Sequence, residues 1–169
     1  DPLDPSIPPV SLPAIIKDLN ERGITSPIQL RVQSFLDMGI HRLNKAFADA
    51  IRETGYQGVY RGVFPIKVNQ QAEVGRPYHY GLEAGSKPEL IVALAQEMAK
   101  ESLIICNGVK DDEFIRLAIL SRKLGFNTVI VLESLKEFEI VHRVARELDA
   151  RPLLGVRIKL TQTVTGKWE

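Results

Sequence analysis

An α/β fold of parallel strands joined by crossover helices, behind a helical lead-in, is what this sequence predicts. Apolar, β-rich runs recur from residue 58 onward, at "GVYRGVFPIKV", "HYGLEA", "SLIICN", "NTVIVLE" and "PLLGVRIKL". From residue 80 they alternate with helical segments at a period of about 25 residues, the rhythm of parallel strands with crossover helices. The runs are continuous rather than alternating, as expected when both faces of a sheet are covered. This pattern leaves a (β/α) barrel and an open doubly wound sheet equally open. No G-x-G-x-x-G follows any strand, which argues against a Rossmann dinucleotide site.

The elements follow in order. Residues 1–10 hold four prolines and read as an extended lead-in. "LPAIIKDLNERG" is a short helix with Pro13 early and Gly23 at its end. "SPIQLRV" is strand-like. Leu36, Ile40, Leu43, Phe47 and Ile51 then recur at steps of three and four, one apolar helix face that ends near Gly55. Residues 1–57 thus form an N-terminal extension, and residues 58–169 the β-α series. Within that series, "SKPELIVALAQEMAK" opens with Ser86 and Glu89 at capping-box spacing. "DDEFIRLAILSRKLG" carries acids in its first turn and Gly125 after its last. "SLKEFEIVHRVARELD" repeats the capping box at Ser134 and Glu137, and its predicted buried stripe is Leu135, Phe138, Val141, Ala145 and Leu148.

Composition narrows the function classes. The 169 residues are 44% hydrophobic and 25% charged, enough for a packed core. Twenty-two basic and 21 acidic residues leave a net charge of +1, with no electrostatic case for nucleic acid or a membrane surface. No apolar run reaches transmembrane length and no signal-peptide pattern opens the chain. The single Cys106 forms no internal disulfide, so a cytoplasmic protein is expected. Asp1 in place of a methionine suggests an excised piece.

Four positions stand out chemically. Lys67 sits near the end of the apolar run "GVFPIKVNQQ". At a barrel mouth, a desolvated lysine loses proton affinity and becomes a nucleophile toward an aldehyde; the structural reading is a strand-end lysine snorkelling to solvent. Glu83 in "GLEAGSK" places a carboxylate in a strand just before a helix start, where it orients a base or cofactor, or merely precedes a tight turn at Gly85 capped by Ser86. Asn107, at the end of "IICNGVKDD", bonds a ligand or shapes the turn with Gly108, and neighbouring Cys106 reads as an inert core thiol. Arg157, flanked by Gly155, Val156 and Ile158, needs either an ion-pair partner or an anionic or phenolate ligand oxygen. His41, His79 and His142 lack metal-ligand spacing, and no Ser-His-Asp or Cys-His arrangement is present.

"GVFPIKVNQQ", "GLEAGSKPEL", "ICNGVKDDEFIRLA" and "RPLLGVRIKLTQTVTGKWE", in that order, resemble the biosynthetic arginine decarboxylases, pyridoxal-phosphate enzymes with an alanine-racemase-like barrel. "LRVQSFLDMGIHRLNKAFADAIRETGYQGVYRGV" upstream is similar to that family's approach to its barrel. The resemblance implies the first half of a (β/α)8 barrel of fold type III. It implies decarboxylation of L-arginine to agmatine for polyamine synthesis, pyridoxal 5'-phosphate and Mg2+ as cofactors, and a homo-oligomeric full-length enzyme. It places Lys67 at the Schiff-base position, Glu83 behind the cofactor ring and Arg157 near the ring's phenolic oxygen. It gives Asn69 and Ser86 no firm role. Ornithine or diaminopimelate decarboxylase remains as a sister reading, as do an inactive remnant and a non-enzymatic pyridoxal-phosphate barrel, which lacks a preamble like residues 11–57.

Two departures from the family pattern stand out. Only "NQQAEVGRPYH" joins the lysine strand to the next, too short for the family's helix and broken by Gly75 and Pro77. The chain also stops at "GKWE", before the family's glycine-rich phosphate loop, its acid for the pyridine nitrogen and its C-terminal β-domain. By itself it is therefore expected to be inactive.

Overall fold

The computed structural model describes residues 6, 9–71 and 80–158. The chain divides into two compact units, Asp1–Tyr60 and Arg61–Glu169.

The first unit is helical. Helix α1 (Leu12–Glu21) has its proline in the first turn, where no backbone donor is lost. Helix α2 (Gln33–Thr54) ends at Gly55, whose left-handed backbone closes the last turn onto Arg52 and Ile51. The predicted apolar face lies on α2, but none of its residues is fully buried. Phe47 stacks on Tyr60 with ring centroids 4.0 Å apart. "SPIQLRV" forms no strand: Pro27 removes a ladder donor, and no described segment of this unit offers a partner strand.

The second unit alternates strand and helix: β1 (Val63–Pro65), a 3-10 turn (Ile66–Val68), β2 (Gly81–Ala84), α3 (Lys87–Leu94), β3 (Leu103–Cys106), α4 (Asp112–Lys123), β4 (Asn127–Leu132), α5 (Leu135–Glu147) and β5 (Leu153–Val156). All strands are parallel and lie in the order β1-β2-β3-β4-β5. That order decides between the two architectures. A doubly wound sheet reverses its strand order at a switch point and covers both faces. Here each strand lies beside its predecessor, and burial is complete on one face only, where Leu82, Ala84, Ile104, Cys106, Thr128 and Ile130 lie under the helices. The opposite face is half-buried. This is the first arc of a (β/α) barrel, with helices outside and the concave face inward.

Three expectations on the elements are corrected. The first helix of the series ends at Leu94, well short of residue 100. On α5 the buried stripe runs through Glu137, Val141 and Val144, with Ala145 and Leu148 partly buried; Leu135 is 84% exposed and Phe138 is also exposed. Among the described elements α5 packs substantially on β4 and α4, and that packing leaves these two exposed. Strand β5, expected to be buried, is an exposed edge because no described strand pairs with its far side. The short connection at 69–79 falls largely outside the described residues, as do His79 and the terminal "GKWE" stretch.

The turns after β2 and β3 nest against each other. Gly108 has φ +99, and a Cβ there would meet the Gly85 carbonyl oxygen at 2.7 Å. Gly108→Ala combines left-handed strain with a backbone clash, and should lower stability by about 2–3 kcal/mol in urea unfolding. A loss under about 1 kcal/mol would mean that the two turns separate easily.

Candidate active site

The register places the candidate side chains. Pro65 lies opposite Glu83, Glu83 opposite Ile105, Ile105 opposite Val129 and Val129 opposite Leu153. Residues two apart share a sheet face, so Glu83 belongs to the concave face. Glu133 and Arg157, just past the ends of β4 and β5, continue the same phase. The Arg157 amide donates to Leu132 O at 3.0 Å, which extends the ladder by one residue.

Lys67 lies in the 3-10 turn after β1 rather than on the strand itself. Ile66 anchors that turn in the core at 4% exposure, which leaves its neighbour turned outward. The Lys67 Nζ is 3.7 Å from Glu83 Oε1, a loose ion pair. The lysine side chain is 65% exposed, so the expected desolvation is absent here: no described residue closes the mouth over it. Asn69 uses its side chain locally, accepting from the Gln71 amide.

Arg157 is 59% exposed and donates through Nη1 to Glu133 Oε1 at 3.0 Å. It has an ion-pair partner, yet the pair engages one of its five donors. Burial alone would raise the Glu133 carboxyl. The Arg157 hydrogen bond and the Gly108 amide outweigh it, holding the carboxyl below the ordinary range.

Behind these groups lies a buried pair that sequence reading missed. Lys110 is 3% and Glu137 6% exposed, and Lys110 Nζ lies 3.3 Å from Glu137 Oε1. The same oxygen accepts the Lys110 amide at 3.0 Å, Oε2 accepts the Glu133 amide at 2.8 Å, and the ammonium also donates to the Gly108 carbonyl. Glu89 plays the matching part at the β2–α3 turn, where it accepts from the Gly85 amide at 2.7 Å. Both capping boxes form through their serines, but each glutamate bonds the amide one residue before the cap. The phase of Glu133, two positions past Val131, was a usable signal for its face. Lys110, in the polar stretch "GVKDD", offered none.

Asn107 Oδ1 is buried with no hydrogen-bond partner among the described residues. Cys106 beside it is fully buried, and burial pushes its thiol up to about 12, against a smaller opposing pull from Lys110. At pH 8 such a thiol is ionised on the order of one part in 10^4. A disulfide reagent should therefore modify the native protein at least about 100-fold more slowly than the denatured one; equal rates would mean that the strand opens freely. Among the described residues no group of three or more His, Cys, Asp or Glu is placed to hold a metal. His41 and His142 lie on exposed helix positions. No helix among the described residues is long and apolar enough to cross a membrane.

An amine, a carboxylate and a guanidinium with donors to spare stand at the C-terminal ends of parallel strands, together with an unpaired amide oxygen. The amine matches an aldehyde and the guanidinium a phenolate oxygen, while the carboxylate and the buried amide oxygen are acceptors.

Comparison with known proteins points the same way. Residues 40–168 match the family described as "Pyridoxal-dependent decarboxylase, pyridoxal binding domain". A biosynthetic arginine decarboxylase from Gloeobacter violaceus is 46% identical over 161 residues, 91% of this chain and 25% of the relative. One from Deinococcus radiodurans is 45% identical over 166 residues, 94% of this chain and 25% of the relative. The crystal structure of the biosynthetic arginine decarboxylase SpeA from Campylobacter jejuni superposes with a TM-score of 0.81 at 32% identity, over 90% of this chain and 27% of that one. The chain thus spans about a quarter of the length of the curated relatives it matches.

Proposed function

Because the chain belongs to the pyridoxal-dependent decarboxylase family, whose pyridoxal-binding domain its residues 40–168 match, we propose that it builds the cofactor side of an enzyme converting L-arginine to agmatine and carbon dioxide in polyamine synthesis. Residues 1–57 are its lead-in and residues 58–169 the first part of its barrel. The observation that carries the reading is the amine of Lys67 beside the carboxylate of Glu83 at the mouth of a parallel barrel arc, on the face that Arg157 shares.

Each residue has a stated task. Lys67 would hold the cofactor through its amine and would hold or deliver a proton at its Nζ. Glu83, on the concave face of β2, would orient the bound cofactor. Arg157 would donate to the cofactor's phenolic oxygen through the guanidinium donors that Glu133 leaves unused. When bound, pyridoxal phosphate supplies the electron sink for the bond that breaks as carbon dioxide leaves the α-carbon. Magnesium, implied by the resemblance, finds no fitting cage among the described residues, and no step is assigned to it. The reading extends to a homo-oligomeric, cytoplasmic enzyme that works apart from nucleic acid and membrane, in keeping with a net charge of +1.

The substrate is tested by carbon dioxide release from labelled arginine, ornithine and diaminopimelate, with the full-length protein and added pyridoxal phosphate. Arginine is expected to exceed the others in kcat/KM by at least about 100-fold, since a buried polar site rejects analogues that leave its groups unpaired. Preference for ornithine or diaminopimelate would move the chain to the sister activity.

A further inference from the structure

We propose that Glu133 is the positioning residue for Arg157: anchored to the turns after β3 and β4, its carboxylate fixes the guanidinium over the barrel mouth so that the remaining donors meet the cofactor's phenolic oxygen. This inference rests on the reading of Arg157 given above.

The geometry carries it in three steps. First, Arg157 is exposed and lies just past the end of β5, and among the described residues no packing fixes its long side chain. Among the described residues its recorded side-chain partner is Glu133, at 3.0 Å through Nη1. A guanidinium is rigid and planar, so holding one nitrogen limits where its other donors can point.

Second, Glu133 is itself held. Its Oε1, the atom that receives Arg157, also accepts the Gly108 amide at 2.9 Å. Gly108 belongs to the turn after β3, and Arg157 follows β5, so one oxygen ties together the exits of strands on either side of β4. Its backbone is fixed as well, because the Glu133 amide donates to Glu137 Oε2 at 2.8 Å. Glu137 is rooted in the buried pair with Lys110. The chain of contacts runs from the core, through two carboxylates, to the arginine at the mouth.

Third, Glu133 is ill suited to a merely stabilising role. Arg157 is more than half exposed, and exposed ion pairs contribute little to folding. Glu133 continues the phase of the concave face, the one that meets a ligand in a barrel. A residue orienting a ligand-facing group from behind is an energetically sensitive arrangement: around metal ligands, losing such a partner costs about 10- to 100-fold in affinity or activity.

The experiment is a double-mutant cycle in the full-length protein carrying this chain. Pyridoxal 5'-phosphate affinity is read by absorbance titration of the apo form, and thermal midpoints are read in parallel. Arg157→Ala is expected to weaken cofactor binding by about 10-fold or more. Glu133→Ala is expected to weaken it by about 5- to 10-fold at a nearly unchanged midpoint of the apo protein. In the double variant, Glu133→Ala is expected to add less than about 2-fold to Arg157→Ala, because a residue acting through another has nothing left to position. Glu133→Gln, which keeps an acceptor for Gly108 and Arg157, should retain most of the affinity; Glu133→Leu, which keeps the side-chain volume but no acceptor, serves in place of Glu133→Ala if that variant folds poorly. Additive losses in the double variant, or wild-type affinity in Glu133→Ala while Arg157→Ala is impaired, would overturn the positioning role alone. Wild-type affinity in Arg157→Ala would overturn the assignment of Arg157 itself, and the role of Glu133 with it.

Discussion

Lys67→Ala is expected to lower arginine decarboxylation by the full-length protein by about 10^3-fold or more, with little change in folding stability. The two halves of that expectation have separate causes. The ion pair that Lys67 makes with Glu83 is long, at 3.7 Å, and the lysine side chain is mostly exposed. Such pairs contribute about 0–1 kcal/mol at most, so the fold should not notice the loss. The chemistry should. An amine that both joins the cofactor and moves a proton in the transition state combines nucleophilic with general acid–base catalysis, and the latter alone is worth about 10^2–10^4-fold. Lys67→Arg keeps the charge near Glu83 but offers no usable nucleophile, and it should fail as badly. Steady-state assay of carbon dioxide release, with urea unfolding of the same samples, checks both halves. Arginine turnover within about 10-fold of wild type in either variant would show that the reacting amine is elsewhere.

Glu137→Ala should produce the largest loss of stability, about 3–5 kcal/mol. Lys110 and Glu137 are almost completely buried, and removing one charge leaves the other desolvated and alone. Two backbone donors, the amides of Lys110 and Glu133, lose their acceptor in the same step. The damage should centre on the turns after β3 and β4, where those amides lie. Glu137→Gln keeps an acceptor for one amide and should cost less. Equilibrium urea unfolding measures the difference; a loss below about 1 kcal/mol, the range of a surface pair, would mean that water reaches the site.

How far the sequence discloses this arrangement depends on how local each feature is. The β-α rhythm and the helix starts at Ser86 and Ser134 were legible because period and cap chemistry sit within a few consecutive residues. Strand order was not, since a barrel arc and a doubly wound sheet are built from the same local units. The exposure of Leu135, Phe138 and the whole of β5 was hidden for a related reason: apolar character states what a residue can bury against, and only the neighbouring element states whether it does. Lys67, Glu83 and Arg157 were singled out by position near strand ends and by family resemblance. Glu133 is 24 residues from Arg157 and Glu137 is 27 from Lys110, separations that no local pattern spans. A lysine in a polar turn carries no mark of burial; the two carboxylates that surround its loop create that burial only once the sheet has formed.

Borohydride reduction of the pyridoxal-phosphate-loaded, full-length protein, followed by peptide mapping, identifies the residue that joins the cofactor. Reduction makes the nitrogen–carbon link permanent, so the labelled lysine can be read from the peptide's mass. A single pyridoxyl group is expected on the peptide containing Lys67; a label carried stoichiometrically by any other lysine, with Lys67 unmodified, would place the reacting amine elsewhere.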